Sequence, residues 1–185
     1  MNNYSVDISN YNHDKDLKET LKRILWHIVS LLFFKYFQLR IFRKWRVAVL
    51  RLFGARIGDN CTIHSSVKIW APWNMEIGNY VCIGPNVNFY NQGLIKISSN
   101  TTISQDVTLC ASSHNVAKST LPLERHFIII EDQVWVASEA FIGPKVTLHQ
   151  GSVVGARSYV YKDVEEWSIV SGNPAKFIKN RIIQE

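Results

Sequence analysis

An aliphatic or aromatic residue returns every six positions along most of this chain. Ile57, Ile63 and Ile69 form a first set, Ile77, Ile83 and Phe89 a second, and Ile97, Ile103 and Leu109 a third. The beat stops after Leu109 and resumes at Ile130, Val136, Ile142, Leu148, Val154 and Val160. Four residues beyond most of these markers stands a small or β-branched residue: Cys61, Val67, Val81, Val87, Thr101, Val107, Val134, Ala140, Val146, Ser152 and Ser158. Gly, Asp or Asn often lies between, as in "IGDNCT", "IGNYVC", "IGPNVN" and "IGPKVT".

Residues six apart fall on opposed sides of an α-helix, so the beat is not helical. Nor is it the strict alternation of a sandwich strand. It suits a short strand followed by a corner, with the marker pointing inward and the residue four later filling the space beneath the bend. Three such sides close a triangular coil, and coils stack about 4.8 Å apart through ladder hydrogen bonds. The spacing widens to eight at 69→77 and 89→97, which places two-residue insertions at the same corner of successive coils. The expected fold is mainly β: a parallel β-helix of about five coils over 55–165, preceded by an α-helical appendage and followed by a short C-terminal segment, 166–185.

Residues 1–13 are polar and expected to be a flexible N-terminus, with neither the basic n-region nor the apolar core of a signal peptide. Residues 14–54 do not share the beat. Leu17, Leu21, Ile24, Ile28 and Leu31 recur at helical spacing, and a second helical run, "RKWRVAVLRLF", ends at Gly54, a suitable C-cap. Residues 15–56 hold eleven Lys and Arg against two Asp and Glu, whereas 57–185 hold ten against eleven. The basic character belongs to this segment, and no nucleic-acid partner is expected. The apolar stretch from Ile24 to Phe37 makes about 21 Å of helix, short of the ~30 Å hydrocarbon core, so a membrane span is not expected. Two readings stay open: the helices cover the open end of the β-helix, or residues 14–53 form a peripheral membrane anchor with Lys35, Arg40, Arg43, Lys44 and Arg46 at the headgroups. Three cysteines without a C-x-x-C pair fit reduced thiols and a cytoplasmic setting, at the inner membrane face if the anchor reading holds.

The break in the beat lies in "LCASSHNVAKSTLPLERHF", 109–127. A long excursion from a solenoid sits at a corner, because the sides are committed to ladders, and such loops carry function. His114 opens the excursion, spanning 113–128, and an imidazole there can take a proton from a hydroxyl nucleophile.

The chain resembles the hexapeptide-repeat acetyltransferases, and among them the colanic acid biosynthesis branch. The phrases that carry the resemblance are "LFGARIG", "IWAPWNMEIG", "FYNQGLIKI", "ISQDVTLCASSHN", "VWVASEAFIGPKVTL", "VVGARSYVYKDV" and "VSGNPAKFIKNR". The resemblance implies a left-handed β-helix, against the usual right-handed rule for crossovers. It implies acetyl transfer from acetyl-CoA to a hydroxyl, usually on a sugar, with surface-glycan biosynthesis as the setting. His114 matches the general base, which deprotonates the acceptor for direct attack on the thioester in a ternary complex, with no metal required. Asn91 matches an acceptor-binding position. Ser138 and Ala156 match positions along the coenzyme groove, Lys162 and Lys179 match positions near its phosphates, and Trp135 is placed on its pantetheine arm. A homotrimer with the groove between subunits is implied as well. Relatives often carry an acidic residue where Asn115 stands, so a backbone carbonyl or another carboxylate is expected to orient the imidazole here. "VASE" and "LHQG" also depart from the commoner glycine.

Three other readings compete. A γ-type carbonic anhydrase uses the same helix with three zinc-bound histidines, but His13, His27, His64, His114, His126 and His149 contain no H-x4-H pair. A non-catalytic trimeric scaffold or membrane-binding module leaves the excursion and its histidine idle. A serine or free-sugar O-acetyltransferase of the same class shares all the motifs.

Overall fold

The computed structural model describes residues 5–9 and 16–184. Of the stretch expected to be flexible, 1–13, all but residues 5–9 therefore lies outside the described residues. Three parallel sheets run the length of a triangular solenoid. The first face is built from Arg56–Ile57, Met75–Ile77, Ile95–Ile97, Ile128–Ile130 and Val146–Leu148. The second holds Thr62–Ile63, Cys82–Ile83, Thr102–Ile103, Trp135–Val136, Val153–Val154 and Ser168–Ser171, and the third holds Lys68–Ile69, Asn88–Tyr90, Thr108–Cys110, Phe141–Ile142 and Tyr159–Val160. Five coils are complete, and a partial sixth comprises a bridge from Leu148 to Val164 and the strand Ser168–Ser171. The strand Lys176–Asn180 then turns back antiparallel along that last strand.

The hexad markers stack in register. Ile57, Ile77, Ile97, Ile130 and Leu148 make one interior column. Ile63, Ile83, Ile103, Val136 and Val154 make the second, and Ile69, Phe89, Leu109, Ile142 and Val160 the third. All of them are buried except Ile69, which is half-buried at the first coil. The residue four later is buried at every position named above, from Cys61 to Ser158.

The corners have a common backbone solution. The residue three after a marker adopts positive φ, as at Asn60, Tyr80, Asn86, Asn100, Asp106, Gln133, Glu139, Lys145 and Arg157. One left-handed residue turns the chain sharply enough to aim the next side chain inward. Asn and Asp tolerate that region best, so their frequency at corners has a cause.

Within the solenoid, the amide after each marker donates to the marker carbonyl of the next coil, as in Gly58 N to Ile77 O, His64 N to Ile83 O and Trp70 N to Phe89 O. The first coil's own marker carbonyls have no coil before them. The helical appendage supplies their donors. Arg51 donates to Ile57 O at 2.6 Å, Arg46 to Ile63 O at 2.8 Å, and the Trp26 indole to Ile69 O at 2.8 Å. The helices α1 (Leu17–Val29) and α2 (Arg43–Leu52) thus cap the open end one side at a time. Arg46 is 3% exposed and also donates to the carbonyls of Phe37 and Leu39; burial pulls its pKa below the ordinary arginine value. A short π-helical turn, Ser30–Lys35, extends α1, and Gly54 at φ +91 stops α2 where a side chain would be strained.

Candidate active site

All three loop insertions fall at the corner between the third and first faces. The first coil carries 70–74 there, the second 91–94, and the third the excursion that holds His114. The excursion is a β-hairpin: Ser112–His114 pairs antiparallel with Leu123–Arg125, His114 standing opposite Leu123. Its foot sits against the coil below, with Ala111 N donating to Tyr90 O. Gly93 permits that fit, because a Cβ on it would come 1.8 Å from the carbonyl oxygen of His126.

His114 Nδ1 lies 2.6 Å from the carbonyl oxygen of Leu121. A carbonyl only accepts, so Nδ1 carries the hydrogen and the lone pair of the neutral ring is on Nε2. A backbone carbonyl therefore orients the imidazole, one of the two orienting groups expected from sequence. Leu121 has φ +45, an uncommon conformation for a bulky residue, and its own amide donates to Lys118 O. Asn115 is used within the hairpin: Nδ2 donates to Glu124 Oε1 at 2.8 Å, and Oδ1 accepts from Ala117 N at 3.1 Å. Asp7 N donates to Ser119 O, laying residues 5–9 across the hairpin tip.

Beside the hairpin foot, under α1, opens a polar cleft of about 420 Å³ lined by Glu19, Lys22, Trp73, Asn74, Gln92 and Arg125, among others. Arg125 and Glu19 form an ion pair across it at 3.0 Å. None of these residues stands out in the sequence, although Trp73, Asn74 and Gln92 sit within phrases at the corner insertions.

Asn91 is not available to a ligand in the way its position implies. It is fully buried. Its Oδ1 accepts from Trp70 N and Ala71 N, and its Nδ2 donates to Ala71 O and Asn74 O. The amide is spent on the corner backbone, so Asn91 shapes the cleft wall while Asn74 and Gln92 face the cleft.

The remaining residues matched by the resemblance fall into two groups. Ser138 and Ala156 share the corner between the second and third faces on successive coils, and Arg157 N donates to Ser138 O at 2.9 Å. The Arg157–Glu139 pair, Nε to Oε2 at 2.9 Å, closes the outside of that corner, and Glu139 raises the Arg157 pKa through that hydrogen bond and its charge. Trp135 projects from the second face close by, its indole donating to Ser104 Oγ at 3.0 Å. The register Trp135↔Val153↔Ile169↔Lys179 sets Lys179 on the same lateral row as Trp135, three strands away. Lys162 is the exception. It follows Val160 on the third face and turns the next corner, where it lines a 530 Å³ cavity with Glu165, Lys176 and Phe177. Counting which of the three markers precedes each residue reveals this: Ser138 and Ala156 follow second-face markers, Lys162 a third-face one.

Among the described residues no three His, Cys, Asp or Glu side chains gather as a metal site, and His13 lies outside them. No family model matches the chain. It is 38% identical over 181 residues, 97% of its length and 99% of the relative's, to the colanic acid biosynthesis acetyltransferase WcaF of Escherichia coli K12. The chain belongs to the hexapeptide-repeat acetyltransferases. A second relative, the galactoside O-acetyltransferase of the same organism, is 27% identical over 137 residues, covering 72% of this chain and 68% of the relative. The solved hexapeptide-repeat acetyltransferase from Vibrio cholerae O1 biovar eltor, complexed with acetyl coenzyme A, superposes with a TM-score of 0.83 at 21% identity over 92% of this chain and 93% of that one. The solenoid of this chain is therefore the family's left-handed parallel β-helix.

Proposed function

We propose that this acetyltransferase moves an acetyl group from acetyl-CoA to a saccharide hydroxyl, with His114 as the general base. The observation that carries the reading is the Nδ1–H bond to the Leu121 carbonyl. It holds the ring in the tautomer that can accept a proton at Nε2, on the hairpin whose other strand brings Arg125 to the polar cleft. In this reading the acceptor occupies that cleft, where the side-chain oxygens of Asn74 and Gln92, whose amide nitrogens already donate to neighbouring carbonyls and to the Tyr90 hydroxyl, join Lys22 and the Arg125–Glu19 pair in facing sugar hydroxyls. Nε2 takes the hydroxyl proton as the oxygen attacks, and the resulting imidazolium returns it to the departing sulfur. Acetyl-CoA supplies the activated acyl carbon; the chain supplies position and the proton path.

The groove residues fit the coenzyme in kind. Ser138 and Ala156 leave the second-to-third corner narrow, and the exposed indole of Trp135 offers a surface for an apolar arm. Yet that corner is not the one bearing His114. A face of about six residues at ~3.3 Å each separates them by roughly 20 Å within one chain. We infer that the site is completed between subunits of a homotrimer, one contributing His114 and its neighbour the groove, with Lys162 reaching the coenzyme only if the adjoining subunit brings it near.

The saccharide assignment draws on the relatives' names, colanic acid and galactoside. Its test is release of free thiol from acetyl-CoA in the presence of sugars, nucleotide sugars and lipid-linked saccharides. Acceptor-dependent release with at least one saccharide is expected. Release with serine alone, or with no acceptor in the panel, contradicts the reading.

A further inference from the structure

Helix α1 wears its apolar stripe on the outside. At about 100° per residue, Leu17, Leu21, Ile24, Leu25 and Ile28 fall within one arc of about 100°. They are between 48% and 75% exposed. The opposite side of the helix is the one turned to the solenoid. It carries Trp26, 4% exposed and bonded to Ile69 O, and Arg23, whose guanidinium lies 3.7 Å from the centre of the Trp70 ring. A helix that only caps a core turns its apolar stripe inward. Here capping uses the polar and aromatic side, and the leucines are left outward, continued by the exposed Leu32 and Phe33. A contiguous patch of this kind marks an interaction surface.

Charge selects the occupant. Residues 16–53 hold nine Lys and Arg against two Asp and Glu, a balance of 9 − 2 = +7. Lys18 and Lys22, on one flank of the stripe, line the polar cleft, whereas Lys35, Arg40 and Lys44 are exposed beyond the stripe and away from that cleft. A second copy would bring the same positive surface against this one, whereas an anionic bilayer offers hydrocarbon for the stripe and phosphates for the lysines. Among the described residues no helix is long and apolar enough to cross a membrane, and the inner side of α1 is committed to the first coil, so the helix can only lie flat. We propose that α1 lies in the plane of an anionic membrane, its stripe from Leu17 to Ile28 among the acyl chains and Lys35, Arg40 and Lys44 at the headgroups. This surface is independent of the acetyl-transfer reading.

The test is flotation of the full-length chain with phosphatidylcholine vesicles, with and without phosphatidylglycerol. Binding to the phosphatidylglycerol vesicles is expected, reduced by high salt. Leu21→Ser with Ile28→Ser, at exposed positions, is expected to lower the bound fraction at least tenfold with unchanged melting temperature and oligomeric mass. Lys35→Glu with Lys44→Glu, outside the acceptor cleft, is expected to weaken binding to anionic vesicles only. Wild-type protein left unbound by anionic vesicles overturns the proposal. So does a serine double variant that binds as wild type does, or one that instead falls apart into smaller species, which assigns the stripe to a second copy.

Discussion

The Nε of Arg46 donates to the carbonyl oxygen of Ile63 at 2.8 Å, 17 residues away in sequence and at the very end of the solenoid. This bond closes one side of a β-helix that has no preceding coil. Hydrogen bonds to a buried charged donor contribute about 1.5–3 kcal/mol each, and losing the donor leaves acceptors dry. Arg46→Met is therefore expected to cost about 3 kcal/mol and lower Tm by about 6–12 °C, read by calorimetry. A shift of under a degree contradicts the capping account.

Asn91 separates a structural from a binding role. Asn91→Ala strips partners from two amides and two carbonyls at the 70–74 corner, so a loss of about 2–4 kcal/mol is expected in thermal unfolding. A variant that melts like the wild type and differs only in acceptor KM restores the direct-contact role.

Ser152 Oγ is buried with no hydrogen-bond partner, alone in this among the buried side-chain polar atoms of the described residues. Ser152→Ala removes an unsatisfied group and leaves the corner backbone unchanged. It is expected to be neutral or stabilising by about 1 kcal/mol, measured by denaturant unfolding. A clear loss of stability means the hydroxyl has a role the geometry does not reveal.

A shared site makes a quantitative forecast for mixed assemblies. His114→Ala keeps its groove, and Ala156→Trp blocks the groove but keeps its histidine. In randomly mixed trimers an intact site needs a histidine donor followed by a groove donor, each with a chance of one half, so about a quarter of sites recover. Coexpressed variants are expected to regain about a quarter of wild-type thiol release. No recovery places the whole site in one chain.

How the sequence carried this fold can be seen at particular residues. The inside of a triangular coil accepts one side chain per marker and one per corner, so Ile63, Ile83, Ile103, Val136 and Val154 repeat because the space repeats. The left-handed corners are written as Asn60, Asn86, Asn100 and Asp106, although Tyr80, Lys145 and Arg157 bend the same way without announcing it. The break after Leu109 marks the hairpin, but not its pairing. What stayed hidden depended on backbone groups or burial. The group that orients His114 is the Leu121 carbonyl, common to every residue type. Asn91 reads as a turn or a ligand residue until its four bonds are seen. The outward stripe of α1 has the same periodicity as an inward one. Only the burial of Trp26 tells which side faces the coil.

The central claim is that His114 acts as a base and not only as a prop for the hairpin. His114→Asn isolates the two. The asparagine amide can still donate to the Leu121 carbonyl, but it has no nitrogen able to take a proton. The account predicts that this variant melts within a degree or two of wild type while kcat for thiol release falls by about 10²–10⁴. A folded His114→Asn enzyme that turns over at the wild-type rate would contradict it.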